Sequence, residues 1–205
     1  MGVGSMRDLM ASVACVTGML FVAVPVSAET VRIHAGRMVD VDKGRVLEDQ
    51  AIRIENGRIV KVDPFAASKS EAGVREIDWT AYTVLPGLMD MHTHLIGDIQ
   101  SNNVAAPLLS SAAQDVLGGV RNARATLRAG FTTVRDVGAY RAFTDVALRD
   151  AIDAGVVPGP RMFVAGAYIT VSQGGGEVTG LAPDVVVPAE MRRGVADSEA
   201  EVRKR

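Results

Sequence analysis

Hydrophobic and polar positions follow three successive patterns along this chain. Residues 9–24 form an almost unbroken apolar run ending at Pro25. From Glu29 to about Thr83 the period is two, the signature of half-buried strands. Thr30–His34 alternates, Gly36–Val41 continues it, and Gln50–Glu55 and Arg58–Val62 flank Asn56-Gly57. That dipeptide is the strongest short hairpin signal, because both central positions of a type I′ turn need positive φ. A two-residue turn sets Glu55 opposite Arg58 and Ile54 opposite Ile59, charge against charge on one face and apolar against apolar on the other. Past His94 the period lengthens to that of a helix. Val116, Val120, Ala123 and Leu127 predict a helix over Ala112–Ala129, capped by Gly130. Phe131–Asp136 then reads as a strand, Phe143, Val146, Ala147 and Ala151 mark a second helix ending near Gly155, and Arg161–Thr170 reads as a third strand. Strands alternating with helices predict an α/β fold with a parallel sheet, closed as a barrel or open. No G-x-G-x-x-G opens a helix after any of these strands, so an open dinucleotide-binding sheet lacks its phosphate loop.

The apolar run near the amino terminus follows Arg7 and ends in Val26-Ser27-Ala28, a small-residue ending of the kind a signal peptidase accepts. Residues 1–28 are therefore expected to be a signal peptide cleaved after Ala28, with an uncleaved membrane anchor as the alternative. The run falls short of the roughly 20 apolar residues that cross a bilayer. Export implies a periplasmic or secreted protein with no membrane attachment after cleavage. Cys15, the only cysteine, lies inside the removed segment, so the mature chain has no disulfide. Of the 205 residues 48% are hydrophobic and 22% charged, with a formal net charge of −2, which gives no footprint for nucleic acid. Arg192-Arg193 and Arg203-Lys204-Arg205 lack interleaved aromatics and read as solvated helix ends.

Candidate chemistry is concentrated in two of the three histidines. His92 and His94 occupy i and i+2 at the end of Val84-Leu85-Pro86-Gly87-Leu88-Met89-Asp90-Met91-His92-Thr93-His94-Leu95. In a strand such positions share a face, roughly 6.5–7 Å apart along the backbone, so both imidazoles can reach one ion. A bare His-x-His is equally compatible with two ordinary histidines bonded to backbone groups. Pro86 and Gly87 favour a bent start to the strand, and Leu88, Met89 and Met91 are expected to enclose the pair in an apolar shell, which tips the balance toward a divalent-metal site. His34, in the amino-terminal sheet, is expected to be structural.

The segment Val84–Leu95 resembles the signature of the amidohydrolase superfamily, in which His-x-His ends the first strand of a (β/α)8 barrel and binds one of one or two divalent metals. Ala129-Gly130-Phe131-Thr132-Thr133-Val134-Arg135-Asp136-Val137-Gly138 is similar to the second-strand segment of the subgroup that contains imidazolonepropionase-like enzymes and Xaa-Pro dipeptidases (prolidases), and Gly159-Pro160-Arg161-Met162-Phe163-Val164-Ala165-Gly166 to its third strand. The resemblance covers roughly residues 30–190. It implies a β-sandwich portion over 29–83 and an incomplete metal-dependent TIM barrel of about three βα units over 84–205. It implies His92 and His94 as metal ligands, zinc first with manganese and iron as alternatives, and hydrolysis of an amide or other C–N bond in a small-molecule or dipeptide substrate. The loop Ser172-Gln173-Gly174-Gly175-Gly176-Glu177 follows the third strand, where barrel enzymes keep substrate contacts. Gly175 stands where many dipeptidase relatives carry a histidine for the substrate carboxylate, so Gly175 and Glu177 are the candidate substrate-binding positions and proline-dipeptide specificity does not simply transfer. Arg135 and Asp136 read as a structural ion pair at the same rim.

The family's remaining metal ligands and its catalytic aspartate have no counterpart here, so no catalytic residue is assigned within this chain. No histidine follows His94, and the one later lysine is Lys204. A closed barrel takes about 250 residues. The expectation is an amino-terminal part of the enzyme, inactive by itself; the alternative is a non-catalytic metal-binding fragment, a pseudoenzyme module or one half of a split barrel.

Overall fold

The computed structural model describes residues 30–97 and 102–205; the segment read as a signal peptide lies outside them. The chain divides into two compact units between Val84 and Leu85.

The first unit is a four-stranded sheet of β1 (Thr30–Asp40), β2 (Arg45–Glu55), β3 (Arg58–Pro64) and β4 (Arg75–Val84), in the order β3-β2-β1-β4. β1 pairs antiparallel with β2 and parallel with β4, and β2 pairs antiparallel with β3. Asn56 and Gly57 have φ of 51° and 73°, and Glu55 faces Arg58 while Ile54 faces Ile59. The hairpin takes the predicted register. β1, which reads as two pieces in sequence, is continuous because its irregularity against β4 falls between Ala35 and Arg37. Gly36 sits there for want of space: a Cβ would come within 1.9 Å of the Thr80 carbonyl oxygen. Val31, Ile33, Ala35 and Ile52 form the core. Arg32, between two of them and itself buried, points the other way. It bonds Glu76 at 3.1 Å and the Ser68 carbonyl at 2.7 Å, and lies over the Phe65 ring. His34 stacks on Phe65 at 3.4 Å between centroids and its Nε2 meets Asp49 Oδ1 at 2.6 Å, a packing role.

The second unit alternates strand and helix: β5 (Leu88–Thr93), α1 (Ala112–Arg128), β6 (Phe131–Asp136), α2 (Thr144–Asp153) and β7 (Arg161–Val164), followed by a short α3 (Glu199–Val202). The sheet is parallel with order β5-β6-β7. Ser111 starts α1 with a reciprocal capping box, its side chain accepting from the Gln114 amide while Gln114 accepts from the Ser111 amide, which satisfies two of the helix's unpaired donors. Gly130 (φ 95°) and Gly155 (φ 70°) end α1 and α2 in the left-handed conformation that costs glycine little. The core gathers Leu95, Ile96, Ala123, Val134, Ala139, Leu148 and Met162 between sheet and helices. Leu148 is fully buried. No helix among the described residues is long and apolar enough to cross a membrane.

Two sequence-based expectations are corrected. The third strand stops at Val164, because Gly166 turns left-handed (φ 84°), donates its N–H to Asp145 Oδ2 at 2.8 Å and accepts from the Phe143 amide. Arg192, by contrast, is an exposed helix end as expected, and it also bonds Glu177 at 3.1 Å. Leu88, Met89 and Met91 are 47%, 69% and 50% exposed, so they form no apolar shell around the histidines.

Candidate metal centre

His92 and His94 come from the carboxyl end of β5, where the strand is not regular. Asp90 pairs with Val134 and Thr93 with Asp136, so three steps on β5 match two on β6 and a bulge falls at Met91–His92. Bulges re-aim side chains and leave peptide groups to be satisfied otherwise. Side chains meet them here: Arg135 Nε donates to the Met91 carbonyl at 2.7 Å, and Asp90 Oδ1 accepts from the His92 amide at 3.0 Å. The two imidazoles end 5.5 Å apart between centroids with planes at 71°. His92 is exposed and His94 half-buried.

The partners of His94 decide which of its nitrogens is available. Nδ1 lies 3.1 Å from the Gly138 carbonyl, which can only accept, so Nδ1 carries the proton and Nε2 keeps its lone pair. The Tyr168 hydroxyl oxygen shares that proton at 2.9 Å. Burial, reinforced by Tyr140, Asp136 and Asp145, pushes the Tyr168 phenol well above its ordinary value, so it stays neutral. An imidazole with Nδ1–H held by a carbonyl and Nε2 bare is the arrangement that metal-binding histidines use. The donor set therefore suits a divalent ion, although among the described residues no third His, Cys, Asp or Glu joins the pair.

Asp136, fully buried, accepts from the Leu95 amide at 2.7 Å and from the Gly138 amide at 3.1 Å. Burial raises its pKa, and the two amide bonds work against that rise. It makes no pair with Arg135. Strand alternation sends Arg135 to the exposed face and Asp136 to the buried one, so the structural role expected of the two is met by separate bonds to the backbone.

The glycine-rich loop after β7 reaches the histidines through Tyr168. A Cβ on Gly176 would stand 2.4 Å from Tyr168 Cβ, and one on Gly138 2.7 Å from its ring, so the tyrosine is held between two bare backbones, with Tyr140 edge-on at 5.3 Å. Nothing in the periodicity marks Tyr168; the one sequence clue is that two of only three tyrosines fall at the ends of β6 and β7. Gly175 is exposed with open space where a side chain would project. Glu177 is buried, and both its oxygens are engaged, one accepting from the Gln173 amide at 2.6 Å and the other paired with Arg192. It braces the loop from within.

Asp197 braces the loop's start, accepting from the Ser172 amide at 2.7 Å and hydroxyl at 2.6 Å. These bonds, the hydroxyl's first, hold the Asp197 carboxyl below its ordinary range. A depressed carboxylate contributes stability that is present above the unfolded value of about 3.9 and lost as pH falls through the folded one. The Ser172 amide should thus lose exchange protection only as pH falls through the lowered Asp197 value, below the ordinary one of about 3.9, while the Ala196 amide, bonded to the Thr170 carbonyl at 2.8 Å, keeps it. Protection of Ser172 that tracks Ala196 through this acid range would show that the Asp197 bonds do not hold the loop.

The amidohydrolase family pattern matches residues 83–205. Ochratoxinase from Aspergillus niger is 26% identical over 168 residues, covering 79% of this chain and 33% of that protein. Imidazolonepropionase from Acidiphilium cryptum is 35% identical over 104 residues, 50% of this chain and 25% of that protein. Among solved structures, a Xaa-Pro dipeptidase with bound methionine in its active site superimposes with a TM-score of 0.73 at 33% identity, over 86% of this chain and 44% of that one. The chain thus spans less than half the length of each of these relatives. With the family match extending over more than half of its residues, including the whole strand–helix unit, the chain belongs to the amidohydrolase family.

Proposed function

We propose that these residues are part of a metal-dependent hydrolase that cleaves amide or other C–N bonds in small substrates, dipeptides among them. The observation that carries the reading is the pair His92 and His94, 5.5 Å apart, with the Nδ1 of His94 committed to a carbonyl so that its Nε2 is free to bind. In this reading β5, β6 and β7 are the first three strands of a (β/α)8 barrel and residues 29–83 a portion of a β-sandwich. Family membership and the likeness to the Xaa-Pro dipeptidase support it.

His92 and His94 would hold one or two divalent ions, zinc first because imidazole suits it. Such an ion supplies a polarised scissile carbonyl and a water acidified toward neutral pH. Tyr168 and Gly138 fix the His94 ring, the Gly174–Gly176 backbone borders the substrate, and Gly175 leaves room where a larger residue would touch it. The carboxylate that moves the proton and the remaining ligands come from outside these 205 residues, and the leader read at 1–28 directs the protein to the periplasm or beyond the cell.

The test expresses the complete reading frame containing these residues and assays a panel of dipeptides and N-acyl amino acids with zinc, with manganese and after chelation. Hydrolysis that chelation abolishes and zinc restores is expected. Hydrolysis indifferent to chelation would overturn the metal dependence, and a stably folded product that binds zinc and cleaves nothing would favour the non-catalytic alternative.

A further inference from the structure

We infer that Asp136 is a positioning residue for His94, a buried clamp that fixes both the place and the tautomer of the imidazole. The inference rests on the metal-site reading and adds a residue to it. One carboxylate holds two backbone amides that bear on the ring: Oδ2 accepts from the amide of Leu95, the residue after His94, and Oδ1 from the amide of Gly138, whose carbonyl takes the His94 Nδ1 proton. The first bond fixes the backbone that carries the ring, and the second fixes the acceptor that orients it. With Asp136 fully buried and solvent excluded from both bonds, no water can replace either one. Other buried groups that titrate are occupied elsewhere. Arg141 binds Asp115 and Glu190, and Asp145 binds the amides of Val146 and Gly166 without touching either histidine.

Asp145 supplies a matched control, since it too is a fully buried carboxylate accepting from two backbone amides in the same unit. In Asp136→Asn one acceptor oxygen becomes an NH₂ that faces a backbone N–H, so one of the two bonds must break. Zinc affinity of the protein expressed from the complete reading frame should fall at least tenfold, the range that changes behind a metal-bound histidine produce. The ¹⁵N shifts of His94 in the metal-free chain should pass from a fixed Nδ1–H form to an average of both tautomers. Asp145→Asn should lower thermal stability comparably while leaving zinc affinity within twofold and the His94 tautomer fixed. The clamp is overturned if the two variants move affinity and tautomer alike, or if His94 in the unaltered chain carries its proton on Nε2. Should His94→Ala keep its zinc, the metal-site reading itself fails, a result distinct from either.

Discussion

Under the proposed function, changing His92 to alanine in the full-length protein should remove bound zinc and hydrolytic activity while leaving the fold as stable as before. His92 is exposed, its ring meets that of His94 edge-on, and its backbone amide bonds Asp90. Substitutions at such surface positions usually stay within about 0.5 kcal/mol. Loss of a direct ligand should exceed the roughly 10–100-fold in affinity that changes behind the ligand cost. His94→Ala should show the same loss of metal and some loss of stability as well, because it also strips the Gly138 carbonyl and the Tyr168 hydroxyl of their shared proton. Metal analysis after dialysis, alongside thermal unfolding, separates the two. A His92→Ala protein with full zinc content would end the case for this pair as ligands.

Leu148→Ala should be the most damaging single truncation of the second unit. The side chain is fully buried against Gly119, where a Cβ would already meet Leu148 Cδ2 at 3.0 Å, so α1 and α2 are packed too closely at this point to collapse into the space left. Leucine-to-alanine changes at such sites cost about 2–5 kcal/mol, against a total of roughly 5–15 for a domain. The denaturation midpoint, followed by helical circular dichroism because all the described α-helices lie in this unit, should fall steeply with little change in slope. Leu117→Ala, at a position 69% exposed on α1, is the comparison and should barely shift it. Equal midpoints for the two variants would mean that the core does not depend on this contact.

How far the chain could be read from its sequence varied with the range of the interactions involved. The Asn56-Gly57 hairpin, the Gly130 stop of α1 and the extent of β6 were legible because turn chemistry and periodicity act within a few residues. β1 looked divided because its bulge answers β4, more than 40 residues away, which sequence pattern does not register. The end of β7 was missed for the same kind of reason: Gly166 is turned by Asp145 and Phe143, from the start of α2. At the site, the histidine pair stood out through its spacing. The bulge that aims it, the tyrosine that shares its proton and the separate duties of Arg135 and Asp136 did not, since each depends on contacts between strands. Adjacent opposite charges suggested a pair, and the pleat of the strand divided them.

The residues that hold the histidines and those that hold the glycine loop are two independent sets of anchors. Arg135 and Asp136, both on β6, secure the backbone on either side of His92 and His94, whereas Asp197 and Arg192, from segments later in the chain, secure the loop through Ser172 and Glu177. Tyr168 is the shared hinge post between them. Under the proposed function, a lineage could therefore reshape what the loop admits, by changing residues near Gly175 and their later supports, without retuning the imidazoles proposed to bind the ion, so that new substrate ranges could arise here on unchanged metal chemistry.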